Sequence, residues 1–307
     1  MEKRDLVIVG GGPAGLTAGL YAARSRIDTL LLEKLTPGGQ VMTTATVENY
    51  PGFEEAISGP DLMVKMEKQA RRFGLKIETQ QVEKISREGD LKRVLSDGGE
   101  YLTKAVIVAT GAEPKSLGIP GEKEFRGRGV SYCATCDGPF FRDKEVAVIG
   151  GGDSAVEEAI YLTRFAKRVR IVHRRDRLRA AKLVQERALS NEKVEVLWDT
   201  VPIRIDGEQF VQSMDVKNVK TGQETKLDVS GVFFYVGVKP NSDFFEFDIE
   251  TDEGGFLRTD DNMRTSVDGI YAVGDVRSKM LRQIVTATGE GATAAFAVEK
   301  YLENLTS

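Results

Sequence analysis

Two stretches of the chain share one order of apolar and polar positions. Residues 6–9 and 145–149 are short, mainly apolar runs, and each is followed at once by three consecutive glycines. An apolar run of this length predicts a parallel strand that is buried on both faces. The pattern therefore predicts two copies of the strand and Gly-rich turn that open a dinucleotide-binding fold.

In the first copy, Gly10, Gly12 and Gly15 have the spacing of the dinucleotide fingerprint, with Pro13 and Ala14 between the last two. The first glycine makes the turn, the second lets the backbone approach a pyrophosphate, and the third lets the helix pack on the strand. The pyrophosphate is expected at the helix N-terminus, where free N–H groups favour an anion. A Gly-rich turn without a ligand is the alternative.

The strand predicted at residues 29–32 ends at Glu33, eighteen residues after Gly15. A carboxylate here accepts hydrogen bonds from ribose hydroxyls and repels a 2′-phosphate. The first site is therefore expected to bind an unphosphorylated adenosine, as in FAD or NAD. The pattern then predicts loops at 36–59, an amphipathic helix at 59–73, and strands at 75–79, across 81–95 and at 105–109.

The second fingerprint consists of Gly150, Gly152 and Ala155, with Asp153 and Ser154 before the alanine, which the motif allows in its last position. It lies 140 residues after the first, so the nucleotide fold is duplicated within the chain.

His173 lies 140 positions after Glu33, so it is the residue of the second copy that corresponds to Glu33. It is followed by Arg174, Arg175 and Arg179. Guanidinium groups are well suited to bind a phosphate, so the second site is predicted to bind NADPH. A solvated basic face is the alternative, because the positions just before are also cationic, namely Lys167, Arg168 and Arg170.

Gly- and Pro-containing segments at 111–120 and 237–241 predict linkers on both sides of the second copy. Two linkers around one domain indicate that this domain is inserted into the other. The predicted fold is α/β, with two Rossmann-like domains, the NADPH domain at 113–240 inserted into an FAD domain formed by 1–112 and 241–307. Within these limits we expect strands and hairpins at 193–235, a strand at 269–273 and a helix at 283–302.

Cys133 and Cys136 are the only cysteines, and Asp137 follows them directly. Sulfurs this close can form a short-loop disulfide that opens easily. A zinc site is the alternative, but zinc takes four ligands and His173 is the only histidine. A C-x-x-C segment beside a βαβ pattern predicts a redox pair.

The chain has 307 residues and a net charge of −4, with an isoelectric point near 5.4. This charge argues against a nucleic-acid partner or a membrane surface. Charged residues at 1–5 lead straight into a strand, so no signal peptide is predicted, and no apolar run approaches the ~18 residues that span a bilayer. We expect a cytoplasmic protein, in which a lasting disulfide is catalytic.

Together with these motifs, residues 106–111, 271–276 and 281–283 complete a specific pattern. Over essentially its whole length the chain resembles the bacterial-type, low-molecular-weight, NADPH-dependent thioredoxin-disulfide reductases. The resemblance implies FAD in the first domain, with Asp275 beside its ribityl chain and Arg282 and Gln283 on the flavin side. Other positions that match the family's FAD site are Gly39, Gln40, Asn49, Val82, Thr110, Gly111 and Gly274.

The resemblance also implies an order of electron transfer. NADPH passes a hydride to FAD, FAD reduces the Cys133–Cys136 disulfide, and the dithiol reduces thioredoxin or a thioredoxin-like protein through a mixed disulfide. Cys136 is expected to face the flavin and Cys133 to attack thioredoxin. The family is typically homodimeric, and its inserted domain rotates about the linkers, since nicotinamide and disulfide must both reach one flavin.

Asp137 is the candidate acid–base residue, because it adjoins Cys136 and the single histidine lies in the phosphate cluster. A turn acid before Gly138 is the alternative for this residue. Two other functions are also open. One is a related flavoprotein that uses ferredoxin or a small disulfide, although a ferredoxin-only donor makes the arginine cluster unnecessary. The other is a non-enzymatic redox sensor, which needs an output surface beyond the two nucleotide folds.

Overall fold

The computed structural model of the chain describes residues 1–44 and 46–306. Ala45, inside the loop predicted at 36–59, and Ser307 lie outside the described residues. The chain divides into two units, one of residues 1–113 with 239–307 and one of residues 114–238. In the described ranges no helix is both long and apolar enough to cross a membrane.

Up to residue 114 the chain alternates between helices and strands before it forms a run of strands. These elements are β1 (Glu2–Val9), α1 (Pro13–Arg24), β2 (Thr29–Glu33), α2 (Gly59–Arg72), β3 (Lys76–Thr79), β4 (Val82–Glu88), β5 (Leu91–Ser96), β6 (Gly99–Val108) and β7 (Ala112–Pro114). A 3₁₀ turn at Gly39–Thr43 lies within the predicted loop.

The chain then continues through β8 (Val130–Ser131), α3 (Ala134–Asp137), β9 (Glu145–Ile149), α4 (Asp153–Leu162), β10 (Arg168–Val172), α5 (Lys182–Leu189), β11 (Val194–Leu197), β12 (Thr200–Gly207), β13 (Val211–Asn218), β14 (Glu224–Asp228), β15 (Gly231–Phe234) and β16 (Val238–Pro240). It ends with β17 (Ile270–Ala272) and α6 (Ile284–Thr306). Further 3₁₀ turns lie at Gly138–Phe141 and Gly274–Val276.

The main sheet of the first unit has the strand order β3-β2-β1-β6-β5-β4, and β17 also pairs with β6. β1 runs parallel to both β2 and β6, so Leu6, Val7 and Ile8 are fully buried between neighbours on each side. This explains the unbroken apolar run at residues 6–9. α6 packs closely against α1, because Gly291 faces the backbone of Ala14 and any larger residue would overlap that carbonyl.

The second unit repeats this arrangement. Its parallel sheet has the order β11-β10-β9-β15-β8, and β12, β13 and β14 form a separate antiparallel sheet. The predicted α/β fold with two dinucleotide-binding domains is confirmed. α1 begins at Pro13, directly after the glycine turn, because proline suits the first helical position.

The chain passes between the units in β7 and β16, and these two short strands pair with each other. At one end of the pair, the N–H of Asn241 donates to the carbonyl of Gly111 at 3.0 Å. At the other end, the N–H of Lys115 donates to the carbonyl of Gly237 at 2.9 Å. Residues 111–115 of the first predicted linker and 237–241 of the second therefore form one narrow two-stranded ribbon.

Candidate functional site

The first Gly-rich turn lies between β1 and α1, at the carboxyl edge of the parallel strands. Gly10 has a φ of +104°, and Gly15 packs against the backbone of Gly10, so neither position accommodates a side chain. α1 begins after Gly12 without a side-chain cap, and nothing lies within 4 Å of the place a Gly12 side chain would take. Uncapped N–H groups facing open space fit a pyrophosphate.

The carboxylate of Glu33 fixes the backbone of this turn by hydrogen bonds. Its Oε2 accepts the N–H of Gly11 at 2.6 Å, its Oε1 accepts the N–H of Leu35 at 3.1 Å, and only 9% of the residue is exposed. A second Gly-rich turn lies against the first: the N–H of Gly38 donates to the carbonyl of Gly11 at 2.8 Å, and Gly39 faces the Cα of Gly12. A ribose contact of Glu33 stays a prediction.

The structure brings several of the predicted FAD residues together in pairs. Asn49 Nδ2 donates to Gln283 Oε1 at 2.9 Å, and Gln40 donates to the carbonyl of Ala112. Gly274 lies against the side chain of Ala14. The remaining residues belong to the same unit: Val82 begins β4, Gly111 has a φ of +69°, and Thr110 Oγ1 donates to the carbonyl of Asn241 at 2.5 Å.

Asp275 and Arg282 lie on the segment that follows β17. The guanidinium of Arg282 sits 4.1 Å from the centre of the Phe256 ring, and its Nε donates to the carbonyl of Asp275 at 3.4 Å. Burial raises the pKa of the Asp275 carboxyl, and the positive charges of Lys279 and Arg282 oppose that rise. The sequence pattern did not point to Lys279.

The Gly-rich turn of the second unit, at residues 150–152, lies between β9 and α4. Gly150 packs against Ala155 and the carbonyl of Tyr235, and α4 begins after Gly152 without a side-chain cap. Asp153 Oδ1 accepts the N–H of Ala181 at 2.7 Å, which ties the turn to the segment before α5. Ser154 is exposed beside it. This turn also fits a pyrophosphate.

His173 occupies the place that Glu33 has in the first unit, beneath the middle glycine of the turn. Its ring lies against Gly151, with Nδ1 3.0 Å from the carbonyl of Gly150 and Nε2 2.9 Å from that of Arg177. Only 5% of His173 is exposed. Direct contact between His173 and a phosphate stays a prediction, and the structure shows it holding the turn.

The arginines that follow His173 are exposed. Arg174, Arg175 and Arg179 are all on the surface, and the N–H of Arg179 donates to the carbonyl of Gly151 at 2.6 Å. Arg179 Nη2 lies 4.0 Å from the place a Gly152 side chain would take. By contrast, Arg170 on β10 is engaged by Glu145 at 2.7 Å and Glu195 at 3.2 Å. Arg168 and Arg170 are therefore paired with carboxylates on neighbouring strands, whereas Arg174, Arg175 and Arg179 are exposed and Arg179 contacts the turn.

The cysteine segment belongs to the same unit. Cys133 and Cys136 form a disulfide, and α3 begins between them. The N–H of Cys136 donates to Cys133 Sγ at 3.2 Å. The N–H of Ala134 donates to the hydroxyl of Tyr235 at 2.7 Å, which attaches the segment to the end of β15. These two contacts hold the backbone around both sulfurs.

Asp137 is held by a residue that the sequence did not single out. Ser131 Oγ donates to Asp137 Oδ2 at 2.6 Å and accepts the N–H of Cys133 at 3.1 Å. Burial raises the pKa of the Asp137 carboxyl, and the Ser131 hydrogen bond opposes that rise. Burial also raises the pKa of Tyr235. Asp137 is thus a carboxyl that takes up a proton more readily than an exposed one.

Known proteins resemble the chain over its whole length. The model of a family described as pyridine nucleotide-disulphide oxidoreductase matches residues 4–291. The thioredoxin reductase of Peptoclostridium litorale is 50% identical over 98% of this chain and 98% of its own.

Two solved thioredoxin reductases cover 98% of this chain and 99% of their own. That of Streptococcus pyogenes MGAS5005 is 52% identical with a TM-score of 0.94. That of Lactococcus lactis, described as the FR conformation, is 51% identical with a TM-score of 0.67.

The chain therefore belongs to the pyridine nucleotide-disulphide oxidoreductases. Within that family it groups with the thioredoxin reductases of the bacterial low-molecular-weight type. Such thioredoxin reductases use FAD and NADPH, and both Gly-rich turns described above fit a dinucleotide.

Proposed function

We propose that the chain reduces the disulfide of thioredoxin with electrons from NADPH, through FAD and the Cys133–Cys136 disulfide. One observation carries this proposal: the disulfide lies in the unit that also holds the Gly-rich turn at residues 150–152 and the exposed Arg174, Arg175 and Arg179, of which Arg179 contacts the turn. FAD, when bound, accepts a hydride from NADPH and delivers two electrons to a disulfide. We also propose that the enzyme is a cytoplasmic homodimer, as the resemblance to its family implies, and that its disulfide is catalytic, because cytoplasmic disulfides rarely persist as structural links.

The two units receive different cofactors in this proposal. Glu33, which holds the first turn, carries a negative charge that disfavours a 2′-phosphate, so residues 1–112 and 241–307 take FAD. Arg174, Arg175 and Arg179 offer a phosphate several charged donors, so residues 113–240 take NADPH. His173 supports that site by fixing the carbonyls of Gly150 and Arg177.

The cysteines have separate roles. Cys133 attacks thioredoxin, and its sulfur is the one that accepts the N–H of Cys136, a contact that strengthens when the sulfur carries a negative charge. Cys136 faces the flavin. Asp137 holds the proton that the Cys136 thiolate needs, and its raised pKa suits it to carry that proton.

The purified yellow protein provides the direct test. NADPH consumption is expected to be slow alone and to rise steeply when oxidised thioredoxin is added. A redox sensor is not expected to consume NADPH with a disulfide protein, and an enzyme for ferredoxin or for a small disulfide is expected to respond to that partner instead. Failure of thioredoxin to stimulate NADPH oxidation, with FAD bound, would contradict the proposal.

Replacing Ser131 with alanine is expected to shift the pH dependence of disulfide reduction. The acid form of Asp137 is the active one, so the rate of thiolate protonation falls as the pH rises through the pKa of Asp137. Loss of the Ser131 hydrogen bond raises that pKa further, so the fall moves to higher pH. Rapid-mixing spectroscopy of the flavin band across a pH series measures this step.

Ser190→Ala is the matched control, because Ser190 is an exposed serine of the same unit. Asp137→Asn is expected to slow the same step on the order of 10²–10⁴-fold and to remove the pH dependence. An unchanged profile in Ser131→Ala would show that Asp137 is not the acid.

We also propose that the inserted domain rotates during turnover about the ribbon of β7 and β16. The solved relatives support this: each is about half identical to this chain, at 52% and 51%, yet their TM-scores against it are 0.94 and 0.67, so the overall structures of the two relatives differ from each other. Paired linkers that form a narrow ribbon suit a rotation, because few dihedral angles need to change.

Locking the rotation is expected to divide the reaction into halves. A crosslink that holds the disulfide at the flavin preserves electron exchange with Cys133–Cys136 and prevents NADPH from bleaching the flavin band. The opposite lock preserves bleaching by NADPH and stops electron flow to thioredoxin. Full turnover in either locked form, compared with the same protein after the crosslink is cleaved, would rule out the rotation.

A further inference from the structure

A cluster of paired charges, three of them largely buried, adjoins the turn at Gly274–Val276 in the first unit. It contains Arg277 and Lys279 from the segment after the turn, Glu290 from α6, and Asp275 from the turn itself. The exposed fractions of the side chains are 8% for Lys279, 12% for Glu290 and 15% for Arg277. Charges this deeply buried are stable only when they are paired, so the cluster is a constrained arrangement.

Glu290 fixes the backbone of the turn. Its Oε2 accepts the N–H of Gly274 at 2.7 Å, and its Oε1 lies 3.0 Å from Arg277 Nη1. Gly274 has a φ of +73°, a conformation in which a residue with a side chain would be strained. One carboxylate therefore holds both the first residue of the turn and the residue just after it.

Lys279 connects this carboxylate to the one at the centre of the turn. Its Nζ lies 3.2 Å from Glu290 Oε1, 3.3 Å from Glu290 Oε2 and 3.5 Å from Asp275 Oδ1, and it donates to Thr286 Oγ1 at 3.4 Å. Lys279 is thus the ammonium group between two carboxylates. Without it, the carboxylates of Asp275 and Glu290, whose side chains are 35% and 12% exposed, would have no cation bridging them, and only Glu290 would keep its pairing with Arg277.

The electrostatics of Asp275 agree with this geometry. Burial raises the pKa of its carboxyl, and Lys279 gives the largest opposing contribution, ahead of Arg282. A protonated Asp275 would offer a weaker acceptor than a carboxylate. Lys279 therefore favours the ionised form of the Asp275 carboxyl, and its contact with Oδ1 restricts the orientation of that carboxylate.

We propose that Lys279 is a positioning residue for FAD binding: it acts through Asp275, holding that carboxylate ionised and oriented toward the ribityl hydroxyls, while Glu290 anchors the turn. This inference rests on the proposed function and on the place beside the FAD ribityl chain that the family resemblance implies for Asp275. It assigns a role to a segment, 277–280, in which the motifs of the sequence indicated none.

The test measures binding of FAD to the apoprotein by quenching of flavin fluorescence, without any turnover. Lys279→Met is expected to raise the Kd of FAD about tenfold or more, equivalent to losing about 1.4 kcal/mol. Lys279→Gln, which keeps a polar side chain but no charge, is expected to show the same loss. Lys279→Arg is expected to stay within about threefold of the wild type, because it restores the cation. Lys300→Met is the matched control, an exposed lysine of α6.

A double-mutant cycle separates this role from general support of the fold. In an Asp275→Asn background, Lys279→Met is expected to change the Kd of FAD less than about twofold, because its effect passes through the Asp275 charge. An equal loss in both backgrounds, or a wild-type Kd in both Lys279→Met and Lys279→Gln, would overturn the inference and leave the proposed function standing. A wild-type apoprotein that fails to bind FAD would overturn both.

Discussion

Replacing Cys133 or Cys136 with serine is expected to abolish thioredoxin reduction, with a loss on the order of 10³-fold or more, because a hydroxyl cannot form the mixed disulfide. Reduction of the flavin by NADPH is expected to continue at close to the normal rate in both variants. The two steps separate because only the second passes through the sulfurs. Steady-state reduction of thioredoxin measures the loss, and anaerobic bleaching of the flavin band measures the step that survives.

Thr135→Ser is the control, since Thr135 is exposed between the two cysteines and carries no sulfur. It is expected to reduce thioredoxin at a near-normal rate. A serine variant of either cysteine that still reduced thioredoxin normally would show that electrons bypass this disulfide.

Loss of the exposed arginines is expected to have the next largest effect. Replacing Arg174 and Arg175 together with glutamine removes charged hydrogen bonds to the 2′-phosphate, each worth roughly 1.5–3 kcal/mol. The KM for NADPH is therefore expected to rise roughly 10²-fold or more, since each 1.4 kcal/mol corresponds to a factor of about ten. The KM for NADH is expected to change less than about twofold, because NADH carries no phosphate at that position.

The matched control is the double variant Arg164→Gln, Arg187→Gln, which removes the same charge from two exposed positions. Arg164 lies just after α4, and Arg187 lies on α5. It is expected to leave both constants near their wild-type values. An equal rise for NADPH and NADH in the Arg174 and Arg175 variant would overturn the assignment of the phosphate site.

Much of the fold is predictable from the sequence because its central strands are buried on both faces. Residues 6–9 of β1, 30–32 of β2 and 146–149 of β9 are therefore apolar runs that can be recognised in the sequence alone. β10 is different, because Arg168 and Arg170 alternate with buried Val169 and Ile171. Its cations are neutralised by Glu145 and Glu195 on the neighbouring strands, and that pairing is not visible in a local pattern.

The candidate site likewise has one part that the sequence predicts and another that only the structure shows. The Gly-rich turns, the cysteine pair and the charge exchange between Glu33 and the arginine cluster follow from local spacing. The supporting contacts join residues that are far apart in the chain. Ala134 and Tyr235 are separated by 101 positions, and Gly274 reaches Glu290 across a turn and a loop. Such pairs leave no periodic signal, so only the folded structure reveals them.

The division of the first unit into two chain segments has a consequence for biosynthesis. On the ribosome, residues 1–113 emerge well before residues 239–307, and at 5–20 residues per second the intervening unit delays completion by roughly 6 to 25 seconds. Throughout that interval Val106–Val108 lack β17 beside them, and the apolar face of α1 lacks α6. The inserted unit, by contrast, is one continuous segment of the chain, so all the strands of its sheets are synthesised before residues 239–307. The inserted unit is therefore expected to fold first. During that time residues 1–113 remain incomplete and expose the unpaired edge of β6, a feature that makes nascent chains prone to aggregate and dependent on chaperones.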